Sequence, residues 1–189
     1  MKFTLALIAY PIAALAAFLP QKQTRLSALD EPFVATVWSN DITKAVVSAS
    51  GGKFYIGRPT HTYCPGGVVD CSHYTGTETV FHPVYDSRLA LQVDVPGGQR
   101  VYVAPDGSLS FTQAHSAYIP PGSTEVGFSH EECVKSDETY LLITDLKWYI
   151  CPLLDRTYQL YASGAPFGDC SEAEIRTYAP DQGEVWQYV

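Results

Sequence analysis

Two histidines and two cysteines lie close together in the first half of the chain, in an arrangement that could bind a metal ion. His61, Cys64, Cys71 and His73 supply two imidazoles and two thiolates, which are ligands that tetrahedral zinc prefers. Their spacing differs from the usual zinc-finger spacings, and the two cysteines can instead form a disulfide. We keep a zinc-binding protein as one alternative interpretation. The interpretation that we favour assigns the chain no metal ligands and no cofactor.

A polar stretch in the second half carries another candidate site. Gln113, His115 and Tyr118 provide an amide, an imidazole and a phenol, and we predict that they contact a ligand. His115 stands beside Ser116, but neighbouring residues of a strand point to opposite faces, so they form no nucleophile–base pair directly. The sequence also lacks a GxSxG motif, the nucleophile elbow of many hydrolases. We therefore assign no catalytic residues and favour a protein without enzyme activity.

Carboxylates and aromatic side chains support a further alternative, a carbohydrate-binding or carbohydrate-active protein. Glycosidase chemistry needs two carboxyl groups about 5–10 Å apart. Asp86, Asp94 and Asp106 have no spacing that predicts such a pair. Aromatic side chains can stack against sugar rings, although most of them lie in protein cores. The candidates for a stacking surface are Tyr63, Tyr74, Trp148 and Trp186.

The scaffold that would position these residues is clearest over residues 87–121. Apolar residues alternate with mostly polar ones over 89–95 and 101–103, and apolar residues recur over 109–111. This period of two predicts three antiparallel strands. Pro96-Gly97-Gly98 predicts the first turn, and Pro105-Asp106-Gly107 predicts a type I turn with a G1 bulge. The expected core residues are Leu89, Leu91, Val93, Val95, Val101, Val103, Leu109 and Phe111.

Other apolar or alternating segments extend the same fold class. The 13 tyrosines, 14 glycines and 13 prolines favour a turn-rich β domain. We predict an all-β domain, a compact barrel or sandwich of about 8–12 antiparallel strands. Ser171 and Glu174 fit a capping box and predict one helical turn, and residues 131–138 are expected to be acidic and exposed. The remaining predicted strands are 33–38, 45–49, 53–57, 125–129, 140–143, 148–150, 157–162 and 184–189.

The N-terminal sequence predicts export from the cell. Lys2 precedes an apolar run that ends in the small-residue pattern Ala14-Leu15-Ala16, which is typical of a cleavable signal peptide. We expect the signal peptide at residues 1–17, a flexible lead-in at 18–31 and a single β domain at 32–189. The net charge of −8 makes nucleic acid and anionic membranes poor partners, and we expect no membrane segment in the mature chain.

Export also indicates how the five cysteines are used. Disulfides form and persist in the secretory route, so we predict the pairs Cys64–Cys71 and Cys151–Cys170, with Cys133 as a free cysteine. Another connectivity, such as Cys71 with Cys151, stays open at this point because sequence does not determine pairing.

Several motifs resemble one family of small secreted ascomycete proteins, which are labelled IgE-binding or cell-wall proteins. The most specific block is VPGGQRVYVAPDGSLSFTQAHS at 95–116, supported by 52–57, 62–65, 149–152 and 157–162. The resemblance implies a fungal extracellular β protein associated with the cell wall, without established catalytic residues. It leads to our first hypothesis, a non-enzymatic protein that binds a cell-wall polysaccharide or a host surface protein and that hosts encounter as an antigen or elicitor.

Overall fold

The computed structural model describes residues 24–27, 31–133, 136, 138–164, 168–181 and 183–189. The predicted signal peptide lies outside these residues. The described chain forms strands and a single 3-10 turn at Cys71–His73. The strands are β1 (Thr24–Ser27), β2 (Phe33–Trp38), β3 (Ala45–Ser50), β4 (Lys53–Ile56), β5 (Thr62–Tyr63), β6 (Val80–Val84), β7 (Arg88–Leu91), β8 (Gln99–Val103), β9 (Leu109–Phe111), β10 (Phe128–Cys133), β11 (Thr139–Ile143), β12 (Lys147–Pro152), β13 (Tyr158–Ser163), β14 (Ser171–Tyr178) and β15 (Gln187–Tyr188).

Nine strands close into an antiparallel barrel, which confirms the all-β prediction and selects the barrel over the sandwich. Around the barrel they follow the order β2, β6, β7, β8, β9, β4, β13, β12 and β14, and β14 pairs with β2 again. β3 pairs with both β2 and β4, while β11, β10 and β1 extend the sheet outwards from β14. β5 and β15 form a separate two-stranded sheet. Closure leaves the barrel strands without open edges that could pair with other chains.

The predicted meander is present as β7, β8 and β9. Leu89 pairs with Val101, which in turn pairs with Phe111. The Gly107 N–H donates to the Ala104 carbonyl over 2.8 Å, and Gly107 has φ 84°, as the predicted bulge requires. The first strand ends at Leu91 rather than at residue 95, because the N–H groups of residues 94 and 95 donate to the carbonyls of residues 185 and 186 instead.

The inward faces of the strands form one apolar core. Val93 is only half-buried, whereas the other predicted meander core residues are buried. Four aromatic rings pack in a row through the core, with centroids 5.2–5.3 Å apart: Phe33 stacks on Phe81, Phe81 stacks on Phe54, and Phe54 meets Phe111 edge to face. Such ring pairs stabilise a core somewhat beyond their buried area.

Two local predictions in the last third of the chain are wrong. Ser171–Glu174 does not form a helical turn; it is the first half of the eight-residue strand β14, where Ser171 pairs with Ile150 of β12. The strand predicted at 125–129 begins only at Phe128 and runs on to Cys133, so residues 131–133 of the stretch expected to be acidic and exposed belong to β10. Pairing with distant strands overrides the local capping signal, as is common for β structure.

Both predicted disulfides are present. Cys64–Cys71 closes a short loop after β5, and Cys151–Cys170 joins β12 to the start of β14. Cys133 takes part in neither disulfide. β1 lies within the segment 18–31 that was expected to be a lead-in, and its backbone pairs with β10. Within the described ranges, no helix has the length and apolarity needed to cross a membrane.

Candidate functional site

A depression of about 410 Å³ borders the closing strand β15. Its volume falls within the range of small-molecule sites in proteins. It contains two of the three residues predicted to bind a ligand, Gln113 and His115. The full lining consists of Gly51, Gly52, Phe111, Gln113, Ala114, His115, Gln187, Tyr188 and Val189.

The turn that follows β9 presents Gln113 and His115 to solvent. The Ser116 N–H donates to the Gln113 carbonyl over 3.1 Å, and His115 adopts φ 60° in the left-handed region. His115 and Ser116 therefore lie in a turn rather than in the strand that the sequence suggested. Both lining side chains are exposed, and within the part of the chain that the structure describes they make no hydrogen bonds of their own. Their amide and imidazole groups are available to a ligand.

The buried Gln99 holds β15, which lines the depression together with the Gln113 turn. Its side chain is fully buried, and Nε2 donates to the carbonyl oxygens of Thr112 and Tyr188, over 3.0 Å each. Its Oε1 accepts the Tyr188 N–H over 2.8 Å. One amide thus joins the start of the Gln113 turn to β15. Sequence reasoning assigned Gln99 no role, although the alternation places it on the core face with Val101 and Val103, where an amide needs buried partners.

The phenol of Tyr188 fastens β15 from its other side. Its hydroxyl donates to the Glu78 carbonyl over 2.9 Å and accepts the Val80 N–H over 3.0 Å. Burial is the main cause that raises the pKa of Tyr188 to about 12, so the phenol is neutral at physiological pH. With its backbone held by Gln99, Tyr188 forms a rigid floor for the depression.

One exposed aromatic residue, Tyr63, lies on the strand that pairs with β15, although it does not line the depression itself. Tyr63 of β5 pairs directly with Gln187 of β15, and 52% of Tyr63 is exposed. Side chains of directly opposed residues in antiparallel strands lie about 5 Å apart at Cβ. The Tyr63 and Gln187 side chains therefore start from neighbouring Cβ atoms on one face of the β5–β15 pair, an arrangement that sequence alone did not indicate.

The other three aromatic candidates have different surroundings. Trp148 is buried, and its Nε1–H donates to the Leu141 carbonyl over 2.7 Å. Tyr74 and Trp186 pack edge to face with centroids 5.4 Å apart, and the Tyr74 hydroxyl donates to Asp94. Of the four, Tyr63 is the one that pairs directly with a residue lining the depression, Gln187.

Tyr118 is not brought together with Gln113 and His115. It is 69% exposed, and it does not line the depression. Its N–H donates to the Ser116 hydroxyl over 3.2 Å. Residues 116–118 follow the left-handed turn at His115, and none of them lines the depression.

The groups considered for metal or acid–base chemistry are separated or engaged. The Cys64–Cys71 disulfide takes up both thiolates of the zinc set, and His61 Nδ1 lies 3.3 Å from the Ser50 hydroxyl. No group of three or more potential metal ligands occurs among the residues described. Asp94 accepts from Tyr74 and Asp106 accepts from Ser108, so these carboxylates belong to separate local interactions.

Comparison with known proteins identifies the family. Residues 33–189 match the family model described as PhiA-like secreted protein. A protein of the fungus Arthroderma benhamiae, described as an uncharacterized secreted protein, is 36% identical over 163 residues, covering 78% of this chain and 80% of its own. No solved structure matches the chain. The relatives support an extracellular location, and the chain belongs to the PhiA-like secreted protein family.

Proposed function

We propose that the chain is a non-enzymatic extracellular protein that binds a neutral carbohydrate, such as a segment of cell-wall polysaccharide, in the depression beside β15. The observation that carries this proposal is the combination of the Gln113 and Gln187 amides with the His115 imidazole around a preformed depression. Amides both donate and accept hydrogen bonds, so they suit the hydroxyl groups of a sugar.

The neighbouring aromatic ring and the rigid floor add support. The exposed Tyr63 ring beside Gln187 offers an apolar face to a sugar ring, while its hydroxyl stays available to water or ligand. Gln99 and Tyr188 hold the floor through buried hydrogen bonds. Such preorganisation lowers the entropy lost on binding.

Binding can be measured by calorimetric titration with soluble β-glucan and chitin oligosaccharides. We expect Tyr63→Ala and Gln187→Ala each to weaken binding by about fivefold, since each loses roughly 1 kcal/mol of stacking or hydrogen bonding. Tyr85→Ala is the matched control, because Tyr85 is 86% exposed in the turn between β6 and β7. Tyr118→Ala should also leave the affinity unchanged. Failure of every oligosaccharide to bind, or an equal loss in the Tyr85 control, would contradict the proposal.

The wall-associated and host-recognised roles follow from the same binding activity. A protein that binds wall polysaccharide would be retained at the fungal surface, where host proteins and antibodies meet it. The label IgE-binding, implied by the resemblance, describes recognition by a host antibody and remains a prediction. A competing oligosaccharide should release the protein from isolated fungal walls. Before it is added, the Tyr85→Ala variant should be retained on the walls, whereas the Tyr63→Ala variant should be lost from them. This combination would link wall association to this depression.

A further inference from the structure

A second recess, which shares no lining residue with the depression beside β15, lies where strand β14 changes partners. Residues 171–173 of β14 pair with β12, whereas Arg176 and Thr177 pair with β11. Glu174 and Ile175 lie between the residues of β14 that pair with β12 and those that pair with β11. β11 and β12 diverge there and leave a cleft of about 180 Å³. The Trp148 Nε1–H donates to the Leu141 carbonyl over 2.7 Å and so joins β12 to β11 where the two strands separate.

The cleft has an apolar lining and a charged rim. Leu142, Leu146 and the buried Ile175 provide aliphatic walls. The rim carries carboxylates at residues 131, 172 and 174. Lys147 also lies at the rim, but its ammonium group contacts both carboxylate oxygens of Glu172 at 2.9 Å. The space therefore combines an aliphatic slot with an excess of negative charge around its mouth.

A neighbouring depression of about 320 Å³ continues the same surface. It shares residues 172–174 with the cleft and adds Trp38, Ser39 and Asn40. Arg176 lines it, but its guanidinium lies 4.0 Å from the centre of the Trp38 ring and forms ion pairs with Glu138 and Glu174. Arg176 is thus already matched by carboxylates, so its positive charge does not reverse the sign of the surface.

The excess of negative charge on this surface favours a cationic ligand. Among the described residues that line the two recesses, the glutamates at 131, 172 and 174 face two cations, Lys147 and Arg176, which leaves one negative charge in excess (three minus two). Glu138 lies outside both linings and pairs with Arg176. An ammonium or guanidinium group on an aliphatic stem matches both the slot and its rim, because such side chains bury their methylenes and keep the charge at the surface. Two recesses on either side of one strand suit side chains of an extended chain, which repeat at regular intervals.

We propose that this surface, formed by the β11–β12 cleft and the Trp38 depression, binds an extended basic polypeptide segment. A lysine side chain lies along the mouth of the cleft, with its methylenes against Leu142 and Leu146 and its ammonium group at the rim beside Glu131 and Glu174. A second basic side chain lies beside Trp38 and Asn40. A polymer of amino sugar shares the charge but lacks the flexible aliphatic stem, so we expect it to bind less well. This site is independent of the carbohydrate-binding depression beside β15.

The test uses fluorescence anisotropy with labelled hexalysine at low ionic strength. We expect measurable binding that weakens steeply with added salt, because exposed ion pairs are screened. A hexamer of 2,4-diaminobutyrate, which carries the same charge on a shorter stem, should bind at least threefold more weakly, and oligoglucosamine should also bind more weakly. Glu174→Gln and Leu146→Ser should each reduce the affinity for hexalysine by about three- to fivefold.

Asp86→Asn is the matched control for charge. Asp86 lies in the exposed turn between β6 and β7, and the substitution changes the net charge by the same amount as Glu174→Gln. It should leave the affinity unchanged, and thermal unfolding of each variant verifies that it is folded. Equal losses in Asp86→Asn and Glu174→Gln would overturn the proposal, because binding would then follow net charge alone. Equal binding of the two cationic hexamers, stronger binding of oligoglucosamine, or no binding of hexalysine would overturn it as well.

Discussion

Replacing Gln99 by methionine tests how the barrel holds its closing strand. Methionine has nearly the same length and volume, so the substitution keeps the packing and removes the hydrogen-bonding groups. In the native chain Gln99 makes three hydrogen bonds to backbone groups of Thr112 and Tyr188, and its side chain is fully buried. After the substitution, the Tyr188 N–H and two carbonyl oxygens lose this partner in a region that excludes water.

The expected loss follows from these three bonds. A buried group left without its partner costs about 1–3 kcal/mol, and a volume-conserving apolar change adds less than about 1.5 kcal/mol. The better burial of the thioether offsets part of this. We expect Gln99→Met to lower the free energy of unfolding by about 3–5 kcal/mol, which is a large share of the 5–15 kcal/mol typical of a domain.

Urea unfolding with both disulfides intact measures this loss. Gln92→Met is the matched control, since Gln92 is exposed and its Oε1 lies near His82 at the surface; its effect should stay below about 0.5 kcal/mol. Hydrogen exchange of the Tyr188 amide should accelerate in the Gln99 variant and not in the control. A loss below about 1 kcal/mol with an unchanged denaturant slope, or continued protection of that amide, would refute the assigned role of Gln99.

Two further predictions concern β15 and the segment that precedes it. Gly76→Ala should destabilise the protein by about 2 kcal/mol or more, because a Cβ there would lie 2.2 Å from the Gly183 carbonyl oxygen; thermal unfolding should show this loss, whereas Gly66→Ala, with nothing within 4 Å of the added carbon, should be close to neutral. Burial, the largest cause, raises the pKa of Tyr188 from 10.0 to about 12. The neutral phenol is the form that the folded state favours, so this contribution is fully present below pH 10 and is lost as the pH rises from 10 to 12. It amounts to roughly 2–3 kcal/mol. Unfolding measured across that window should show a smaller decline in Tyr188→Phe than in the native chain, and an equal decline in both would remove Tyr188 as the cause.

Local sequence signals predicted the parts of the fold that neighbouring residues determine. The meander of β7, β8 and β9 follows from alternation and from turn residues such as Gly107, whose positive φ the turn needs. β14 was missed because Ser171 and Glu174 carry a helical capping pattern, whereas its conformation comes from pairing with β2, β11 and β12. That pairing is a property of the whole chain and has no local signature.

The residues of the candidate site were likewise predicted only where they lie close together in the sequence. Gln113 and His115 were predicted from their types, and they share one depression. Gln187 joins them because the Gln99 amide holds β15 beside the Gln113 turn, and Tyr63 lies opposite Gln187 because β15 pairs with β5, which lies far away in the sequence. Tyr118 was grouped with Gln113 by closeness in the chain, and the positive φ of His115 separates them. A strand was predicted at 184–189, which contains β15, and the amide of Gln99 was a local signal of a buried hydrogen-bonding partner, since it breaks an apolar face.

The pairing of β2 with β14 has a consequence for the order in which the chain acquires its structure. One side of the barrel joins residues 34–38 to residues 174–178, so the ring cannot close until nearly all of the polypeptide has been synthesised. Contacts between such distant segments make folding slow. A nascent chain of this kind cannot close its barrel during elongation and does so only after the last strands are available. This order is compatible with passage of the unfolded chain through a translocation pore before oxidation joins Cys151 to Cys170.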